Sequence, residues 1–379
     1  MIPPSAGPGG TGETGVGTMT GRERILEALA MGQPDRVPIF ELGINESSIV
    51  KLGKLLFGDA LVPERDLPDL APDEAVRLID VLCAIVEALD LDAASTVFLT
   101  GRRRYKDDYV RDRFGIVYHV SPHGEPYPVD GPIHDASDLE RFERMEPDPL
   151  DFLMLQYVIG KIGKDRAHVF TTPGPFRWSW SLRGAMQHLL LDYVANPDLA
   201  HALARVATDF CNAAVAKAID LGADVICLEG DLAHNPTTLM SPDHYRRFLK
   251  PYHQETVALA HTRGVRIIKH SDGNLWPILD DLVEVGFDGI HPIQPQCMEI
   301  GEVKRHLAGR ACVLGNIDCM NLLPFGSEEE VVQSVKETLA KAAPGGGYIA
   351  SSSNSIHPGC KPENYVAMVN AIRKYGAYP

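Results

Sequence analysis

The chain has 379 residues, 45% of them hydrophobic, and a formal charge of −15. That apolar content fills one large core, and no Lys/Arg-rich block is present to neutralise nucleic-acid phosphates or an anionic membrane surface. No apolar run approaches the roughly 20 residues of a spanning helix, and seven scattered cysteines without a CxxC pair fit a reduced, cytoplasmic protein.

Residues 1–18 are mostly Gly, Pro and Thr and lack the apolar stretch of a signal peptide, so they are expected to form a disordered tail. A single domain is expected over 19–379. Thr20-Gly21-Arg22-Glu23 has capping-box spacing and predicts a helix over 22–31, stopped by Gly32 and Pro34. Residues 37–43 read as a short strand with Glu41 near its end. Residues 46–90 read as helices, broken at Gly58 and in the Pro-rich stretch 63–72. A second strand covers 91–97. Residues 109–120 alternate around Phe114-Gly115 and predict an inserted hairpin.

From residue 167 the order is regular. Strands are expected at 167–172, 223–229, 265–270, 287–292, 311–316 and 347–352. Helical patterns at 181–220, 241–263, 275–285, 299–308, 327–343 and 362–376 separate them. Ser241-Pro242 marks one start, and Ser327 with Glu330 marks another. Eight alternating units argue for an α/β fold, a closed (β/α)8 TIM barrel with an N-terminal helical extension and an inserted β-hairpin.

In such a barrel, functional groups come from the carboxyl ends of the strands. Here those ends are polar straight after apolar runs: Glu41, Thr171-Thr172, Glu229-Gly230-Asp231, His270-Ser271-Asp272, His291-Pro292-Ile293-Gln294, Asn316-Ile317-Asp318 and Ser352-Ser353-Asn354. A His with two carboxylates makes a workable site for a divalent metal, and His270, Glu229 and Asp272 are the candidate ligands. A structural, hydrogen-bonded His270 is the alternative, as is Asp272 orienting the imidazole from behind. Asp231 reads as a turn residue or as a carboxylate facing substrate. His234 and His291 read as rim residues. Gln294 and Asn354 can orient polar substrate atoms, and Phe176 and Trp178 can form an aromatic wall or pack the barrel top. Cys312 and Cys319 have no metal-like spacing, and Cys360 lies in a His-Pro-Gly-Cys loop beside a helix start.

Several segments together resemble the uroporphyrinogen decarboxylase superfamily, and within it the corrinoid-linked (cobalamin-dependent) methyltransferases. They are Arg22-Glu23-Arg24-Ile25 through Pro34-Asp35-Arg36-Val37-Pro38, Thr172-Pro173-Gly174-Pro175-Phe176, Gly230-Asp231-Leu232-Ala233, His270-Ser271-Asp272-Gly273-Asn274, Gly315-Asn316-Ile317-Asp318 and Gly345-Gly346-Gly347-Tyr348. The resemblance implies the barrel. It also implies a zinc site with His270 as a ligand and the third ligand drawn from Asp272, Asn354 or Cys360. The family's decarboxylases carry an Arg-rich stretch after the first strand, which grips the substrate's carboxylates. Residues 40–47 here hold two acids and no Arg, so a polyanionic porphyrinogen would meet repulsion.

The expectation is therefore a zinc-dependent methyltransferase. It would move a methyl group from a small methylated substrate, such as an aryl methyl ether, to the cobalt of a separate corrinoid protein. Asp231 or Glu41 would act as the acid, and the chain would be a monomer or homodimer. Decarboxylase-type lyase chemistry and a non-catalytic ligand-binding barrel are the alternatives.

Overall fold

The computed structural model describes residues 19–58, 71–120 and 126–378. The tail expected over 1–18 and most of the Pro-rich stretch 63–72 lie outside the described residues.

Seven parallel strands run in order around the core. They are β1 (Ala93–Val97), β6 (Ala167–Pro173), β7 (Val225–Glu229), β8 (Arg266–His270), β9 (Gly289–His291), β10 (Cys312–Ile317) and β11 (Tyr348–Ser352). Residues 38–40 close the ring between its first and last members. Phe40 N donates to Ala350 O at 3.0 Å, Ala350 N to Pro38 O at 2.9 Å, and Asp92 N to Ile39 O at 2.9 Å. With this extended segment as the eighth member, the expected TIM barrel is present, and all the expected barrel strands fall where the sequence places them.

The sheet has two apolar sides because successive side chains of a strand point to opposite faces. Phe40, Ala93, Val169, Val225, Ile268 and Leu314 fill the inside of the barrel, together with Ile25, Ala28 and Leu29 of the helix Gly21–Leu29, which pack with them. Alternate residues such as Ile39, Phe170, Ile226, Ile267, Ile290 and Val313 face the surrounding helices. The Thr20 capping box of that first helix is formed as expected.

Two features differ from the sequence reading. The long helix expected over 181–220 is three helices, Pro175–Leu182, Met186–Ala195 and Pro197–Leu221. Gly184 at φ 91° and Pro197, which has no N–H to donate, account for the breaks. The expected hairpin is the centre of a four-stranded antiparallel sheet, made of β2 (Arg103–Lys106), β3 (Tyr109–Arg111), β4 (Val117–His119) and β5 (Tyr127–Asp130). The outer strands were invisible because their residues are largely exposed and carry no apolar alternation, and Pro128 is a residue tolerated on an edge strand.

Candidate active site

At the carboxyl ends of β7 and β8, Asp231, His270 and Asp272 each offer a ligand atom within 4.8 Å of the others. His270 Nε2 lies 3.8 Å from Asp231 Oδ1. The His270 side chain points into the barrel, two positions along β8 from Ile268, and is 6% exposed.

The two loops that carry the acids are laced together. Asp272 N donates to Asp231 Oδ1 at 2.9 Å, Leu232 N to Ser271 Oγ at 2.9 Å and Asn274 N to His234 O at 3.0 Å. Gly273 sits at φ 90°, and a Cβ there would lie 2.6 Å from the backbone at residues 233 and 234. Only glycine permits this approach. Beneath the loops, the buried Lys269 ammonium donates to Gly230 O at 2.7 Å, His270 O at 2.6 Å and Leu228 O at 3.2 Å. It ties the end of β7 to the end of β8 and so fixes the separation of Asp231 from His270.

His291 is the residue that sequence reasoning placed wrongly in character. It is no rim residue: it is fully buried, paired in register with His270, and its Nδ1 lies 2.9 Å from His270 Nδ1. Burial, and then the nearby Lys269 charge, lowers the His270 pKa to about 3. Burial, and then His270, holds His291 well below the usual histidine range. Both rings are therefore neutral at pH 7, with one N–H each. If His270 Nδ1 carries its proton and donates to His291, the His270 Nε2 lone pair is left facing the acids. The His291 proton is then on Nε2, an atom that has no hydrogen-bond partner among the described residues.

The other expected residues divide. Glu229 stays outside the three-residue cluster and Asp231 takes its place. Gly230, at φ 134°, turns the chain so that residue 231 meets His270. Asn354 Nδ2 donates to Asp272 Oδ2 at 2.7 Å, so Asn354 orients a candidate ligand. Gln294 accepts from Gly273 N at 2.7 Å and donates to Asn235 Oδ1 at 2.9 Å, clamping both loops. Both expected substrate-binding amides are thus engaged in shaping the site.

Phe176 and Trp178 are buried in the outer core. Trp178 packs edge-to-face with Phe98, Phe114 and Phe210, so it forms no wall of the barrel mouth. Glu41 alternates with the inward Phe40 and Leu42 and faces the other side of the sheet, where Ser352 Oγ donates to it at 2.5 Å. Burial raises its pKa to about 8. It is a protonated acid at neutral pH, but it is not in the cluster. Burial also pushes the Cys360 thiol up to about 12, and its Sγ donates to Cys319 O, so it offers no ready thiolate.

The family described as uroporphyrinogen decarboxylase (URO-D) matches residues 109–375. The chain belongs to this family. A uroporphyrinogen decarboxylase of Alkalilimnicola ehrlichii is 26% identical over 70% of this chain and 73% of its own length. One of Thioalkalivibrio sulfidiphilus is 29% identical over 36% of this chain and 39% of its own length, and one of Chlorobaculum tepidum is 26% identical over 48% and 50%. Two of these three matches thus span half the relative's length or less. Among solved structures, a methyltransferase from Methanosarcina mazei superposes with a TM-score of 0.72 at 22% identity, covering 94% of this chain and 99% of that one. This places 94% of the URO-D chain in that fold. Among the described residues, no helix is long and apolar enough to cross a membrane.

Proposed function

We propose that this URO-D family member is a methyltransferase that takes a methyl group from a small methylated compound, with an aryl methyl ether as the best-suited type. The acceptor would be the reduced cobalt of a corrinoid carried by a separate protein. The observation that carries the reading is the meeting of a neutral imidazole with two carboxylates at the barrel mouth. An N, O, O donor set suits zinc with a position left open, so Asp231, His270 and Asp272 would hold it. When bound there, the ion would supply Lewis acidity to an ether oxygen whose C–O bond is breaking.

The chain's own residues do the rest. With the His270 proton on Nδ1 and donated to His291 Nδ1, the His270 Nε2 lone pair is the one offered to the ion. Asn354 fixes Asp272, and the Lys269 and Gln294 clamps fix Asp231 relative to both. The apolar barrel interior, lined by Ile268, Leu314 and Phe40, lies on the same side of the sheet as His270 and would limit competing hydrolysis.

A second reading, decarboxylation, is favoured by the names of the curated relatives. The absence of Arg from residues 40–47 argues against a polycarboxylate substrate, and Glu41, which faces the other side of the sheet, bears on neither reading. The test is to incubate the zinc-loaded chain with cob(I)alamin and a panel of methoxyarenes, methylamines and methyl thioethers. Loss of the Co(I) absorbance with formation of the demethylated arene is expected. Silence across the panel, with carbon dioxide released from a porphyrinogen, would overturn the reading.

A further inference from the structure

Arg177 is an uncompensated cation beside the cluster. It lies in the first turn of the helix Pro175–Leu182, which leaves the carboxyl end of β6. Its guanidinium rests on the Trp180 ring, 4.3 Å from the centroid. Among the described residues it makes no hydrogen bond or ion pair. Every other described arginine that is partly or fully buried holds a carboxylate, as Arg183 holds Asp192 and Arg266 holds Asp288. A half-buried charge without a counterion is costly, and a chain with 51 acids against 36 bases does not lack carboxylates to supply one.

Its position says what would use it. A Cβ on Gly230 would lie 3.2 Å from the Arg177 Cβ, so the backbone at Arg177 abuts the residue that precedes Asp231. Trp180 pre-orients the guanidinium plane, which suits a flat acceptor taken by paired N–H donors. One arginine beside the Gly230 turn carries a single charge, which suits a monoanion.

We propose that Arg177 binds the carboxylate of the substrate, so that the compound turned over is a small methylated carboxylate with its acid end on Arg177 and its methyl end toward Asp231, His270 and Asp272. The word substrate rests on the methyl-transfer reading, but the anion site does not.

The experiment is equilibrium dialysis of the full chain with 4-methoxybenzoate and with 4-methoxybenzyl alcohol, its neutral counterpart, with inorganic phosphate as a competitor. The acid should bind more tightly than the alcohol. Arg177→Met, which keeps the contact with Trp180, should weaken the acid by about tenfold or more and leave the alcohol unchanged. Arg177→Lys should fall between, because it keeps the charge and loses the fork. Thermal melts report whether each variant folds. If the Met variant does not, the Lys variant and the acid-to-alcohol ratio decide. Equal binding of acid and alcohol, unchanged acid binding in a folded Arg177→Met, or displacement of the acid by equimolar phosphate would each overturn the proposal. Binding needs neither metal nor cobalt. Acid binding that depends on Arg177 without methyl transfer would therefore uphold this site and remove the methyltransferase reading alone.

Discussion

Replacing His291 with Phe tests the imidazole pair. The substitution keeps a flat ring edge-on to Phe40, whose centroid is 6.1 Å away, and removes the Nδ1 acceptor together with an Nε2 that has no partner among the described residues. His270 is then left with two choices. It can keep the proton on Nδ1, now buried and without a partner, at a cost of about 1–3 kcal/mol. Or it can move the proton to Nε2, the atom 3.8 Å from Asp231, and so block the lone pair that a metal needs. Either way, zinc binding must offset the difference, and affinity should fall by about 10- to 100-fold, as it does when other outer partners of ligating histidines are removed. His291→Asn, whose amide oxygen stands near the lost Nδ1, should recover part of the affinity. Competition titration against a chromophoric chelator measures all three proteins. If His291→Phe binds zinc as tightly as the unaltered chain, the tautomer argument is wrong.

Glu41 gives a pH signature of opposite sign to that of an acid held by a cation. Its folded pKa is raised from 4.5 to about 8, so its contribution to stability is complete below pH 4.5 and is lost as pH rises through about 8. Glu41→Gln should flatten that part of the profile, by about 1.4 kcal/mol per pH unit traversed at most. Denaturant melts between pH 5 and 9 read the effect, and parallel curves for variant and parent would contradict it. Gly230→Ala places a side chain at φ 134° against Arg177 and should cost about 1–3 kcal/mol while displacing Asp231. Its melting temperature and zinc affinity should fall together, and a fall in neither would show that the turn tolerates a Cβ.

The barrel was legible because each strand is a short apolar run ending in polar residues, and because caps such as Thr20 and Ser327 are local signals. His270 and Asp272 were legible for the same reason. Choosing between Glu229 and Asp231 was not, since alternation points Glu229 inward and only the Gly230 turn reverses the outcome. The His270–His291 pair needs the register of two strands, which no single strand encodes. Lys269 left one trace, a cation inside the apolar run Val265-Arg266-Ile267-Ile268-Lys269, but its three carbonyl partners come from tertiary contact. Trp178 misled because an aromatic beside a strand end reads alike whether it lines a mouth or packs a core.

The central claim is that Asp231, His270 and Asp272 together hold one divalent ion. Calorimetric titration of the chelator-treated chain with zinc measures it directly. We predict one ion per chain, with binding abolished in His270→Ala and weakened sharply in Asp231→Asn and Asp272→Asn. An unaltered chain that takes up no zinc, or a folded His270→Ala that takes it up equally well, would contradict the account.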